Sequence, residues 1–210
     1  MIVMPANNTG IRVGYLAGKY PGTIGHLYSP GAQCGPFPFI PYALDNNRFG
    51  SWKNNTGWNR EQWEELLDWA KLSGQNPLWA LVPDVVGDRE GTLCDWQEYA
   101  PVLKRFGWPL AFAVQDGMTH RDVPHDADVV FVGGSTEWKW TTFSDWCARF
   151  PRVHVGRVNT WRNLIRADKA GAESCDGTGW TRGDQRQWRA LEAFVSGQRC
   201  NQLELEEAIA

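Results

Sequence analysis

Apolar and polar positions along this chain follow two periods, and the changes of period predict its elements. Residues 60–72, REQWEELLDWAKL, place Trp63, Leu66, Leu67 and Ala70 at helical spacing, with Asn59 ahead of them as an N-cap. Short apolar runs at 78–82, 110–114, 129–132 and 153–155 read as buried strands, and a last short strand ends at 174–175. Helical patterns fill 91–106, 141–150, 160–170 and 181–196. The first ten residues read as a loose lead-in, and 11–16 as a strand. Residues 18–41 are broken so densely by glycine and proline that they read as one long loop, closed by the apolar run 41–44.

Strands alternating with helices predict βα units and a parallel sheet. Two arrangements fit about seven or eight such strands: a doubly wound open sheet and a (β/α) barrel. With 210 residues, a barrel sits near its lower size limit of about 200. The length suits one large domain. Neither GxGxxG after the first strand nor GxxxxGK(S/T) occurs, so nucleotide-phosphate loops of those types are absent.

In parallel α/β folds, chemistry collects where strands end. Here PYALD ends at Asp45, LWALVPD at Asp84, and LAFAVQDG at Gln115 and Asp116. DVVFVGG ends at Gly133 and Gly134, RVHVGRVN at Gly156, Arg157 and Asn159, and ESCD at Asp176. Any one of these residues serves as readily to cap a helix or shape a turn. The set together describes a convergent polar pocket. A carboxylate, an amide and accessible backbone N–H groups suit a purine-like ring: Asp84 to accept from a ring N–H and an exocyclic amine, Gln115 and the Gly133–Gly134 backbone to donate to a carbonyl. Two further carboxylates, Asp45 and Asp176, suit glycosidic chemistry, in which one attacks the sugar carbon and the other moves protons.

Composition narrows the picture. Apolar residues at 42% and charged residues at 21% describe a folding chain. No run reaches the roughly 18 apolar residues of a membrane helix, and without a basic region followed by an apolar stretch and a cleavage site no secretion signal is expected. A cytoplasmic location and no membrane partner are expected. Five cysteines without a CxxC read as reduced thiols. Thirteen tryptophans are many; Trp52, Trp58, Trp63 and Trp69 are spaced to pack along and beside the helix at 60–72. The net charge is −3, yet residues 149–199 carry ten Lys/Arg against five Asp/Glu, and 200–210 form an acidic tail. The basic segment is a candidate phosphate-facing surface. His120 and His125 lack a third ligand at metal spacing, and His154, inside a strand, reads as a satisfied core histidine.

The order ALDNN, LVPDVVGD, FAVQDG, FVGGSTEWK, HVGRVN and SCDGTG, across residues 40–182, resembles the tRNA-guanine transglycosylases. It is most similar to their DNA-acting relatives, which insert 7-deazaguanine bases into DNA and occur in phages and bacterial gene clusters. The resemblance implies a single compact TIM-type (β/α)8 barrel and base exchange by double displacement. Asp176 would be the nucleophile that releases guanine and Asp45 the proton-transfer partner. Asp84, Gln115, Gly133 and Gly134 would bind the base. The zinc site of the tRNA enzymes, three cysteines and a histidine after the nucleophile, has no counterpart: only Cys200 follows Cys175, and no histidine follows His154. No metal and no cofactor are therefore expected, and DNA is favoured over tRNA, with a free 7-deazaguanine base as second substrate. The location would be the host cytoplasm if the chain is phage-encoded. Arg157, Arg162, Arg182 and Arg186 would face the nucleic-acid backbone, and Trp138, Trp140 or Trp180 would support a flipped base. The alternatives are a tRNA-guanine transglycosylase-like enzyme, a nucleoside or base hydrolase on the same pocket, and a non-enzymatic nucleic-acid-binding module.

Overall fold

The computed structural model describes residues 1–5, 11–31, 36–183 and 185–197. Its eight strands are β1 (Ile2–Met4), β2 (His26–Tyr28), β3 (Tyr42–Leu44), β4 (Ala80–Leu81), β5 (Leu110–Val114), β6 (Val129–Val132), β7 (Val153–Val155) and β8 (Ser174–Asp176). All neighbouring strands are parallel, and they run in chain order from β2 to β8, with β1 beside β8. The ring closes between β1 and β2. Val3 N–H donates to Thr23 O, and Gly25 N–H donates to Val3 O, both at 2.9 Å. That closure selects the barrel over the open sheet.

Among the described residues, eight helices accompany the strands: α1 (Ile11–Lys19), α2 (Arg48–Lys53), α3 (Arg60–Leu72), α4 (Arg89–Lys104), α5 (Thr136–Arg149), α6 (Trp161–Lys169), α7 (Gly179–Arg182) and α8 (Gln185–Val195). Asn59 caps α3 as expected, its side chain accepting from Gln62 N–H at 3.0 Å. Asp88, Ser135 and Thr160 cap α4, α5 and α6 in the same way. Between β5 and β6 the crossover holds only a single 3₁₀ turn, His120–Asp122.

Side chains alternate across each strand. One set, Leu27, Ala43, Leu81, Ala111, Ala113 and Val129, fills the barrel interior together with Met4 and Trp79. Trp79 is fully buried there, and the alanines concede the volume it needs. The other set, including Phe112, Val130 and Val132, packs outward with Leu66, Leu103 and Leu164 of the helices.

Several boundaries differ from the sequence reading. Residues 11–16 open a helix, because Val13, Leu16 and Ala17 are buried at helical spacing while Ile11 is 92% exposed. The first strand is instead three residues in the lead-in, too short to show a period. The 18–41 stretch is not wholly loop: α1 runs to Lys19, and His26–Tyr28 form the buried strand β2. Helix α5 starts at Thr136 rather than 141, since Ser135 caps it directly after the glycine pair. The helix expected at 181–196 is two, broken at Gly183, whose backbone is extended; a Cβ there would lie 2.4 Å from Gly179 O. Trp63 is buried, but Trp52 is 61% exposed on α2. Cys34, Cys200 and the acidic tail at 200–210 lie outside the described residues.

Candidate active site

A cavity of about 90 Å3 opens where the strands end. At roughly 10–15 Å3 of such space per water, it takes several waters or one small ring system. All six residues expected to catalyse or to bind a base line it: Asp45, Asp84, Gln115, Gly133, Gly134 and Asp176. Asn46, Phe49, Phe131 and Arg157 complete the polar and aromatic wall. The topology explains the convergence, since every parallel strand delivers its last residue to the same end of the barrel.

Asp176 ends β8 and is almost fully buried. Its Oδ1 receives the Arg157 main-chain N–H at 3.0 Å and faces His154 Nε2 at 3.1 Å. Among the described residues Oδ2 accepts no hydrogen bond. Asp45, one residue past β3, accepts from Ser29 Oγ and from Asn46 N–H, both at 2.8 Å. Burial holds its carboxyl above the ordinary range, the Ser29 hydroxyl opposes that, and the charge of Asp176 adds to it.

Asp84 follows β4 and is wired on both oxygens. Oδ1 accepts Asn46 Nδ2 and Oδ2 accepts Gln115 Nε2, each at 2.7 Å. Gln115 Oε1 in turn accepts Gly87 N–H at 3.1 Å. Burial pushes the Asp84 carboxyl up to about 6 against the pull of the Asn46 amide. The glycine pair departs from expectation. Gly133 N–H is spent on Val114 O at 3.2 Å, so only Gly134 N–H remains for a ligand. Gly134 has φ +67°, and a Cβ there would lie 2.6 Å from Asp116 Oδ2. Asp116 does not line the cavity and ties Ser135 at the start of α5.

Arg157, expected to face the nucleic-acid backbone, forms part of the pocket wall. Its guanidinium donates to Gly134 O and lies 4.3 Å from the Phe49 ring centre, joining the loop after β6 to α2. Arg162, Arg182 and Arg186 are exposed. They sit on α6, α7 and at the start of α8, which follow the carboxyl ends of β7 and β8 and so stand at the pocket's end of the barrel. Trp180 is buried in the core, which removes it as a platform; Trp138 and Trp140 are half-buried.

Three further residues support the site: Asn46, which directly follows Asp45 at a strand end, and Lys139 and His154, which strand-end reasoning passed over. Asn46 is buried and links Asp84 to the strand end through Val82 O at 2.9 Å. Lys139, on α5, is fully buried and donates to Gly156 O; burial and the Arg157 charge bring its ammonium down to about 8. His154 is a satisfied core histidine, as expected, but one partner is Asp176. Its position between two valines in β7 carried the signal, since alternation sends it to the face opposite theirs. His120 packs on Trp146 at 4.7 Å, and no cluster that could hold a metal ion occurs among the described residues. No helix among them is long and apolar enough to cross a membrane.

A closed ring of eight parallel strands with its polar pocket at the carboxyl end defines this molecule as a TIM-type barrel. No family model and no curated sequence matches the chain. Its likeness is to solved structures. Phosphoribosyl anthranilate isomerase from Thermus thermophilus is 16% identical with a TM-score of 0.56, over 95% of this chain and 100% of that one. The Amycolatopsis orientalis BexX/CysO complex gives 14% and 0.57, over 98% and 90%. The 3-hexulose-6-phosphate synthase of Salmonella typhimurium gives 12% and 0.51, over 95% and 100%. At these identities the likeness is one of fold.

Proposed function

We propose that this barrel is a glycosyl-transferring enzyme that exchanges guanine for a 7-deazaguanine base in DNA. The observation that carries the reading is the unequal pair of aspartates in one pocket. Asp176 is tied through Oδ1 and bare at Oδ2; Asp45 sits in surroundings that favour its protonated form. Unequal carboxylates at one site suit a nucleophile and an acid.

The steps follow. Asp176 Oδ2 attacks C1′ as the C1′–N bond to guanine breaks. The electron pair leaves with guanine, which takes the proton of Asp45. The incoming base then gives its ring N–H proton to Asp45 and attacks C1′, and the C1′–Oδ2 bond breaks. Two inversions retain configuration. Asp84, held between Asn46 and Gln115, accepts from the base edge, and Gly134 N–H donates to its carbonyl.

The choice of DNA rests on the motif resemblance and on the exposed arginines at 162, 182 and 186. Their positive charge suits a phosphate backbone at the pocket's end of the barrel. A guanine inside a duplex must leave the stack to enter so small a cavity.

The test is nucleoside mass spectrometry after incubating DNA and tRNA with a panel of free 7-deazaguanine bases. A deazaguanine deoxynucleoside from DNA alone is the expected result. Guanine release without incorporation would make the protein a hydrolase. No change in either polymer would overturn base exchange by this chain.

A further inference from the structure

The strand β7 reads Val153–His154–Val155, and its histidine points into the barrel. His154 is fully buried, stacked on Phe131 at 4.7 Å and edge-on to Trp79 at 4.8 Å. In so apolar a setting both ring nitrogens nevertheless have partners. Nδ1 lies 2.8 Å from Ser174 Oγ and Nε2 lies 3.1 Å from Asp176 Oδ1. The strand register explains how one ring reaches both. His154 pairs with Ser174 in β8, and Ser174 and Asp176, two residues apart, face the same side.

The chemistry of the partners fixes the direction of each bond. A carboxylate only accepts, so the proton shared with Asp176 belongs to Nε2. A hydroxyl both donates and accepts, so in the neutral ring Ser174 donates to the unprotonated Nδ1.

Resting on the base-exchange reading, we propose that His154 is a positioning residue for Asp176, with Ser174 fixing its tautomer. Together with the Arg157 main-chain N–H it holds Oδ1, so that the carboxylate meets the sugar through Oδ2 alone. The arrangement serves both halves of the exchange. When the Oδ2–C1′ bond has formed, Oδ1 is the ester carbonyl oxygen and keeps its two donors. When the incoming base attacks, the C1′–Oδ2 bond breaks and its electron pair returns to the carboxylate. His154 neither gains nor loses a proton.

Two measurements test this. The first needs no turnover: long-range 15N–1H spectra of the 15N-histidine-labelled protein, with His154→Gln to assign the signal. His154 is expected as the tautomer protonated at Nε2, and Ser174→Ala is expected to weaken that preference. A wild-type ring protonated at Nδ1 overturns the proposal. The second compares His154→Leu with His154→Gln, whose amide restores a donor. A nucleophile released from its orientation loses on the order of 10²-fold in rate. That loss is expected in kcat for Leu, with KM within about twofold, and Gln is expected to recover about tenfold of it. Unchanged kcat in the Leu variant, or equal loss in both variants with lowered melting temperature, overturns the proposal. If the wild type exchanges no base, the functional reading fails, while the tautomer still decides whether His154 holds Asp176.

Discussion

Arg157 hydrogen-bonds Asp176 through its backbone, not its guanidinium. The main-chain N–H donates to Asp176 Oδ1 at 3.0 Å, while the guanidinium turns away to Gly134 O and the Phe49 ring. The backbone reaches this position with φ +57°, a left-handed conformation rare outside glycine. The nucleophile candidate is thus held by fixed donors on one oxygen.

That relationship makes Asp176→Asn an informative variant. The amide oxygen keeps an acceptor for Arg157 N–H and His154, and the NH2 falls where the carboxylate accepts nothing. The melting temperature should move by only a few degrees, about 1 kcal/mol or less in a domain of this size. Base exchange should vanish. Exchange surviving in this variant would remove Asp176 from the nucleophile's role.

The pH dependence of stability should carry the signature of Asp84. Burial raises its carboxyl from 3.8 to about 6, so between those values the native state binds more protons than the unfolded chain. Its contribution is then fully present below about pH 4 and is lost as pH rises through about 6. Roughly two pH units correspond to about 3 kcal/mol. Asp45, raised in the same direction, adds with the same sign. Urea midpoints measured from pH 4 to 7 should fall less steeply in Asp84→Asn than in the wild type. Parallel slopes would contradict the buried carboxyl.

Two glycines separate backbone strain from crowding. Gly117 has φ +78° and open space around its would-be Cβ; Gly134 has φ +67° and a would-be Cβ only 2.6 Å from both Asp116 and Trp138. Gly117→Ala should cost about 1 kcal/mol, from the backbone alone. Gly134→Ala should cost clearly more and should also weaken binding of a free base at the pocket. Equal melting temperatures for the two variants would show that the wall can yield.

The exposed arginines predict a salt dependence. Replacing Arg162, Arg182 or Arg186 by Ala should weaken DNA binding without changing affinity for the free base. For every arginine that pairs with a phosphate, its removal should reduce the slope of log K against log salt by about 0.7–0.9. A slope unmoved by all three changes would place the nucleic-acid path elsewhere on the molecule.

Tryptophan positions predict stability effects of very different size. Trp79→Ala empties the middle of the barrel and should cost roughly 3–5 kcal/mol. Trp52→Ala, at 61% exposure, should stay within about 0.5 kcal/mol. Thermal or urea unfolding of the two variants checks both.

The sequence by itself determined the elements whose period is long or whose ends are marked. The helix at 60–72 with its Asn59 cap, and the strands at 110–114, 129–132 and 153–155, coincide with the structure residue for residue. It also placed Asp45, Asp84, Gln115, Gly133, Gly134 and Asp176 at strand ends, and these meet in one cavity. The physical reason is local: periodicity and capping act over a few residues, and parallel strands share one carboxyl end. Only the tertiary structure decided what depends on distant segments. Closure of the ring rests on Val3 meeting residues 23–25, and β1 is too short to announce itself. Gly133 N–H is consumed by Val114 O, Arg157 turns inward to Gly134 O and Phe49, and His154 finds Ser174 and Asp176 on the next strand. Which partner a polar group finds is set by register across the barrel, and a single chain read in order carries no register.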